Sequence, residues 1–231
     1  MQGMWRRLAT DRLLSLAAHF PAVVILGARQ VGKTTLARSA FRGVPYVDLE
    51  EPRTRALFSD DPSFHIETKA APSLILDEVQ FVPAVLSSLR GIIDAHRRAV
   101  GRFILLGSAQ PSVVRGISES LAGRAGILDL DPLTAIEVAR GRERRGWRDV
   151  WLRGGFPDSL RANAFRDWWE AYLRTYIERD LPALAIGADP VLLRRLLTML
   201  AHQQGGVLNT SQLGGSLGTS HHTIRRYLDV L

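Results

Sequence analysis

At 231 residues and 25.6 kDa, with 46% hydrophobic and 23% charged residues, the chain has ordinary globular composition, which sets aside disordered, collagenous and mini-protein classes and predicts one large domain with an appendage. The absence of cysteine removes disulfides, thiolate catalysis and cysteine-based metal sites together. The net charge of +7 favours polyanionic partners, but residues 1–163 hold 23 basic and 17 acidic residues and the remainder only 7 and 6, so the tail is nearly neutral.

Arg6 and Arg7 precede an apolar stretch beginning at Leu13, but Thr10, Asp11 and Arg12 interrupt the approach and no small-residue cleavage site follows. No signal peptide is expected, and the cytoplasm is the expected location. The longest apolar run, residues 22–26, falls far short of the roughly 20 residues of a membrane helix, so no membrane partner is expected. It reads instead as a buried parallel strand.

That strand leads into Gly27-Ala28-Arg29-Gln30-Val31-Gly32-Lys33-Thr34-Thr35, the phosphate-loop pattern G-x-x-x-x-G-K-[ST] between a strand and a helix opening near Lys33. Gly27 is expected to end the strand in a turn, and Gly32 to let backbone amides wrap a β-phosphate with no Cβ in the way. The helix N-terminus adds a fixed attraction for anions. Lys33 is one of two lysines beside 28 arginines, and it is placed to reach the β- and γ-phosphates of ATP. The Thr34 hydroxyl is the expected Mg²⁺ ligand, while Thr35 reads as first-turn structure of the same loop.

Further strands are predicted over residues 44–49, 74–76, 103–106 and 125–130. The second of these runs into Asp77-Glu78, the form of a strand whose aspartate holds Mg²⁺. Glu78 is then the candidate base that orients and deprotonates the attacking water, the alternative being a solvated carboxylate. A helix follows over residues 83–97, with Val85, Leu86, Leu89, Ile92 and Ile93 on one face. Ser108, after the 103–106 strand, either positions that water or the γ-phosphate, or caps the strand end. Arg124 is either an arginine finger, in its own site or a neighbour's, or a surface or ion-paired residue. Three of the apolar runs end in Gly27, Asp77-Glu78 and Gly107-Ser108, so a parallel sheet delivers their chemistry to one edge. The reading is a five-stranded α/β layer.

Beyond it come a helix starting at Pro132 and an arginine-rich stretch with Arg140, Arg142, Arg144, Arg145 and Arg148. Glu143 and Asp149 mixed into that stretch favour a solvated linker over a nucleic-acid patch. With the turn-like Arg153-Gly154-Gly155-Phe156-Pro157, it sets a boundary between an ATPase domain, 1–150, and a helical lid with a winged-helix-like helix-turn-helix region whose wing is incomplete, 151–231. Residues 165–179 read as a helix whose stripe of Trp168, Trp169, Tyr172, Leu173, Tyr176 and Ile177 is expected to pack rather than stack on bases. After a helix over 191–202, Leu213 and Leu217, Gly218 and Ser220 form a helix-turn-helix pattern whose second helix buries Ile224, Leu228 and Leu231. Gly214 and Gly215 weaken its first helix, so tertiary packing must hold it. His221, His222, Arg225 and Arg226 are left to face double-stranded DNA, unless the unit serves as a lid or a protein-interaction piece. The adjacent histidines are expected to diverge and make a poor metal pair.

The loop with Arg29-Gln30, Val47-Asp48-Leu49-Glu50, Asp77-Glu78-Val79-Gln80, Gly107-Ser108-Ala109-Gln110, residues 121–124 and residues 172–180 together resemble the prokaryotic AAA-type ATPases, in the branch whose C-terminal half is a domain of unknown function. The resemblance implies a P-loop ATPase with sheet order 5-1-4-3-2, ATP with Mg²⁺, and Ser108 as a sensor residue. Its members run on beyond the length of this chain, often into a nuclease-like region. Two functions stay open: ATP hydrolysis coupled to movement of the C-terminal helices, or a nucleotide-switched DNA-binding or signalling module with little turnover. A second copy or a protein partner fits either, and a shortened relative that has lost its effector is a third reading.

Overall fold

The apolar runs pair as expected. In the computed structural model, which describes residues 5–70, 72–108, 111–141, 145–181, 189–229 and 231, five strands form one parallel sheet. They are β1 (Ala22–Leu26), β2 (Tyr46–Asp48), β3 (Leu74–Asp77), β4 (Phe103–Gly107) and β5 (Ala125–Asp129), in the order β2-β3-β4-β1-β5. Read from the other edge, this is the order that the resemblance implied. Every residue of β1, β3 and β4 is buried, as helices on both faces require, whereas the edge strand β5 alternates buried Gly126 and Leu128 with exposed positions. Ala109, Gln110, Arg142 and Arg144 lie outside the described residues.

Because successive strand side chains point to opposite faces, β1 splits its run between two cores. Val24 and Leu26 join Leu76, Leu105 and the helix-borne Val85 and Leu89, while Val23 and Ile25 join Ile104, Leu13, Leu16 and Leu36. The helices supplying these layers are α1 (Ala9–His19), α2 (Lys33–Ala40), α3 (Pro52–Asp60), α4 (Pro62–Lys69), α5 (Ala84–Ala95) and α6 (Pro111–Ser120). α3 and α4 start where acidic caps dictate: Glu51 accepts from the Arg53 and Thr54 amides, Asp61 from the Phe64 amide, each with proline next in sequence. The helix expected from Pro132 begins later, as α7 (Ala135–Ala139). Thr134 and Glu137 form a reciprocal capping box there, which fixes the first turn after the proline. α8 (Trp147–Arg153) and α9 (Pro157–Arg161) follow. On α8, Trp151 is 80% exposed and Arg148 lies over the Trp147 ring.

Glycines offer a stability check on this packing. Gly91, exposed on α5, has open space where a Cβ would stand, whereas a Cβ on Gly27 would meet the Leu130 carbonyl oxygen at 2.5 Å. Gly91→Ala is therefore expected to stabilise by up to about 1 kcal/mol through the helix preference for alanine, and Gly27→Ala to destabilise by about 1–3 kcal/mol through overpacking. Denaturant midpoints of the two variants check both signs.

The chain divides into two compact units, Met1–Phe165 and Arg166–Leu231. The second contains nearly all of α10 (Phe165–Thr175), then α11 (Pro190–His202), α12 (Thr210–Leu217) and α13 (His221–Leu228), around Ile177, Leu193, Leu196, Leu213, Ile224 and Tyr227. The aromatic stripe packs in part on itself, with Trp168 and Tyr172 rings 5.1 Å apart; it is half-buried, Tyr176 lies against the core and Ile177 is fully buried within it. Two expectations change here. Leu231 is 38% exposed and Tyr227 fills the core position instead, its hydroxyl accepting from the Asp189 amide. The His221 and His222 rings converge to 4.0 Å rather than diverging. Gly214 does more than weaken a helix: a Cβ there would stand 2.7 Å from the Thr219 carbonyl oxygen, so its absence lets α12 and the segment entering α13 approach closely. Among the described residues, no helix is long and apolar enough to cross a membrane.

Candidate functional site

Parallel pairing brings the C-terminal ends of β1, β3 and β4 to one edge, and the loop from Gly27 to Gly32 lies there. Its backbone takes positive φ twice, at Gln30 (φ 59°) and Gly32 (φ 101°). The left-handed conformation is what requires glycine at position 32, since the nearest atom to a Cβ there is 3.6 Å away. At Gly27 the requirement is the close approach of Leu130 instead. Gly32 is the N-cap of α2 and supplies no side chain to the first-turn amides, which are therefore available to an anion.

Lys33 is 5% exposed and donates from Nζ to the carbonyls of Gly27 at 2.9 Å and Ala28 at 3.0 Å. Burial lowers its pKa, opposed by the Glu78 and Asp77 carboxylates. Thr34 Oγ1 donates to Asp77 Oδ2 at 2.6 Å, so the two residues expected to share a cation are in contact. The second donor to Asp77 Oδ2 was not anticipated: the Tyr46 hydroxyl, at 2.8 Å. Burial and the bond to Asp77 push this phenol above its ordinary range, so it stays protonated and donating. Its signal in the sequence is slight, a tyrosine in a predicted strand, and parallel pairing of β2 with β3 is what places it.

Glu78 also sits in left-handed backbone (φ 54°), and its carboxylate accepts from Gln80 Nε2. Burial raises its proton affinity and Lys33 opposes the rise. Ser108 Oγ, after β4, and Gln80 Oε1 are buried with no hydrogen bond among the described residues. Orphaned polar atoms at a strand edge suit a water or an oxyanion that they would contact. Arg29 pairs with Glu50 at 3.6 Å.

Gln30, Lys33, Thr34, Glu78, Pro157 and Arg161 surround a cavity of 240 Å³. A second cavity, of 370 Å³, shares Gly32, Thr35, Pro157 and Arg161 with it and adds Trp5, Arg6, Leu36 and Ser39. Arg161 lies 4.6 Å above the Trp5 ring, which is 7% exposed. No motif marked this second cavity, because its walls come from segments more than a hundred residues apart.

Arg124 is not brought to this edge. It precedes β5, at the other end of the sheet, and grips Asp94 through Nε at 2.9 Å and Nη2 at 2.8 Å. Its carbonyl accepts from Ala22 N, so the five residues of β1 separate it from Gly27 by roughly 17 Å. His221, His222, Arg225 and Arg226 belong to the second compact unit, all four exposed on α13.

The donor set fits Mg²⁺. Thr34 and Asp77 present adjacent hard oxygens, and this ion keeps several waters and phosphate oxygens rather than an all-protein cage. No cluster of three or more His, Asp or Glu residues able to hold a metal occurs among the described residues.

Residues 19–139 match the family described as an AAA domain, and residues 144–231 match a domain of unknown function (DUF8612). Uncharacterized proteins of Mycobacterium bovis and Mycobacterium tuberculosis are each 37% identical to the chain, over 98% of its length and 51% of theirs. The chain thus spans about half the length of the curated relatives it matches. Among solved structures, a Walker-type ATPase of Pyrococcus abyssi is similar in fold, with a TM-score of 0.53 at 15% identity, covering 97% of this chain and 90% of that one.

Proposed function

The chain belongs to the AAA domain family and has its P-loop ATPase fold, and on that premise we propose that it binds ATP with Mg²⁺ at the 27–35 loop and hydrolyses it. The observation that carries this is the convergence of Lys33, Thr34 and Glu78 around one cavity, with Asp77 bonded to Thr34. Gly27 to Thr35 cradle the phosphates through backbone amides, and Lys33 neutralises the β- and γ-phosphate oxygens. Thr34 and Asp77 would hold Mg²⁺, which when bound supplies charge neutralisation on the phosphoryl oxygens. Tyr46 orients the Asp77 carboxylate.

Glu78 accepts the proton of the attacking water as its oxygen bonds to the γ-phosphorus and the bond to the bridging oxygen breaks, leaving ADP and phosphate. Gln80 aims Glu78, and Ser108 Oγ contacts the water or the γ-phosphate. The cavity beside Trp5 takes the base. Arg124 is too far from its own loop to contribute there, so it enters the reaction only from a second copy. α9, in the part of the chain read as the lid, lines both cavities, so nucleotide state has a direct path into the helices that follow. The test is steady-state ATP hydrolysis with Mg²⁺ at low salt, with and without duplex DNA. The expected result is turnover above a Glu78→Gln blank; turnover equal to the blank, with or without DNA, overturns it.

A second reading is favoured by the exposed basic edge of α13. In this reading the α12–α13 pair serves as a helix-turn-helix, which is supported by the left-handed Gly218 (φ 68°) that ends α12 and by Ser220 capping α13. It would make the protein a nucleotide-switched DNA binder with little turnover. Duplex affinity that falls with salt and changes with ATP supports it; affinity indifferent to nucleotide removes the switch.

A further inference from the structure

Arg7 reaches the phosphate loop from outside every motif. Its Nη1 donates to the Val31 carbonyl at 3.0 Å, its Nη2 to the Asp131 carbonyl, and its Nε to Glu137 Oε1 at 3.1 Å. The guanidinium thus spans the loop, the end of β5 and the first turn of α7. The partner carboxylate is itself fully engaged: Glu137 Oε1 also accepts from the Leu8 amide at 2.7 Å, and Oε2 from the Thr134 amide at 2.8 Å. Both side chains are nearly buried. Burial pushes the Glu137 carboxyl up, but the Thr134 and Leu8 amides and the Arg7 charge outweigh it, so Glu137 accepts as a carboxylate. Arg7 therefore has no alternative rotamer that keeps its three partners.

The consequence lies in one peptide unit. A trans peptide is planar, with its C=O and N–H pointing in opposite directions. Fixing the Val31 carbonyl on Arg7 therefore fixes the Gly32 N–H away from Arg7. Val31 and Arg7 line the larger cavity but not the smaller one, whereas Gly32 lines both. Glycine at φ 101° has more freedom than any other residue to rotate that peptide, so an external restraint has the most effect here.

We propose that Arg7 is a positioning residue for phosphate recognition, which presets the Gly32 amide toward the bound phosphates by holding the Val31 carbonyl. This rests on the nucleotide-binding reading above and adds a residue to it. It distinguishes Arg7 from a brace: a brace affects all ligands and folding alike, while a preset amide affects only ligands that carry phosphate there.

The test compares ADP and adenosine binding to the full chain by titration calorimetry, for wild type, Arg7→Ala and Arg7→Lys, with thermal midpoints measured alongside. Because Arg7 also lines the cavity assigned to the base, the readout is the ADP-to-adenosine affinity ratio: Arg7→Ala is expected to weaken ADP about tenfold more than it weakens adenosine, the loss of a charge-assisted restraint on one phosphate contact. Arg7→Lys retains the charge and the fold but cannot hold three acceptors in a planar fork, so it is expected to weaken ADP by a smaller factor with the same selectivity. An unchanged ADP-to-adenosine ratio in Arg7→Lys overturns the proposal, whether both affinities fall or neither does. Wild type binding neither ligand overturns the nucleotide reading itself, and the Arg7 role with it.

Discussion

Replacing Glu78 with glutamine is expected to slow ATP turnover by roughly 10²–10⁴-fold while leaving ATP affinity within about twofold of wild type. Glutamine keeps the size of the side chain and a carbonyl that still accepts from Gln80, but it cannot take a proton from water. The proton affinity of Glu78 is raised by burial, with Lys33 opposing, so the acid limb of the wild-type rate profile should lie above the ordinary glutamate value of 4.5 and vanish in the variant. Stability moves the other way. A carboxyl whose folded pKa is raised stabilises the fold below its unfolded pKa and loses that contribution as pH rises through the folded value. Glu78→Gln removes the ionisable group, so its thermal midpoint at pH 8 is expected to exceed that of wild type. Rate profiles and melting curves on the two proteins test both statements, and equal turnover would remove Glu78 from the chemistry.

Lys33→Ala is expected to act on binding instead. Losing two charge-assisted contacts to phosphate oxygens weakens ATP by roughly a hundredfold or more. The ammonium also donates to the Gly27 and Ala28 carbonyls, so truncation takes the donor from two backbone acceptors, the one on Gly27 buried. Lys33→Arg is no rescue, because a planar fork does not reproduce a compact ammonium held between two carbonyls. Direct titration with ATP separates this from the glutamine variant: affinity falls in one and turnover in the other. ATP affinity in Lys33→Ala within about threefold of wild type would contradict the assigned role.

Legibility followed sequence separation. The three central strands were readable because β1, β3 and β4 are built on continuous apolar runs, and the phosphate loop because its chemistry is local. The Pro132 helix was misplaced because proline marks a helix start less firmly than the Thr134–Glu137 capping box two residues on. Leu231 was put in a core that Tyr227 occupies, since heptad-like spacing does not say which apolar residue reaches furthest inward. Tyr46 on Asp77 had only a slight signal and Arg7 on the Val31 carbonyl had none: the contacts span 31 and 24 residues, and only the folded chain brings them together. Gln80 was within reach, two residues beyond Glu78, but the left-handed turn that folds it back onto the carboxylate is not a residue-type preference.

The guanidinium of Arg161 over the Trp5 indole has an optical consequence. An indole sandwiched between a cation and a cavity wall emits with an intensity and wavelength set by what fills that cavity, so occupancy by a base changes the fluorescence of Trp5 directly. Trp147 and Trp151, 62% and 80% exposed, emit from water and can be silenced by a soluble collisional quencher. With their light removed, the remaining emission includes a built-in gauge of the cavity, and the protein needs no attached dye to report when it is filled.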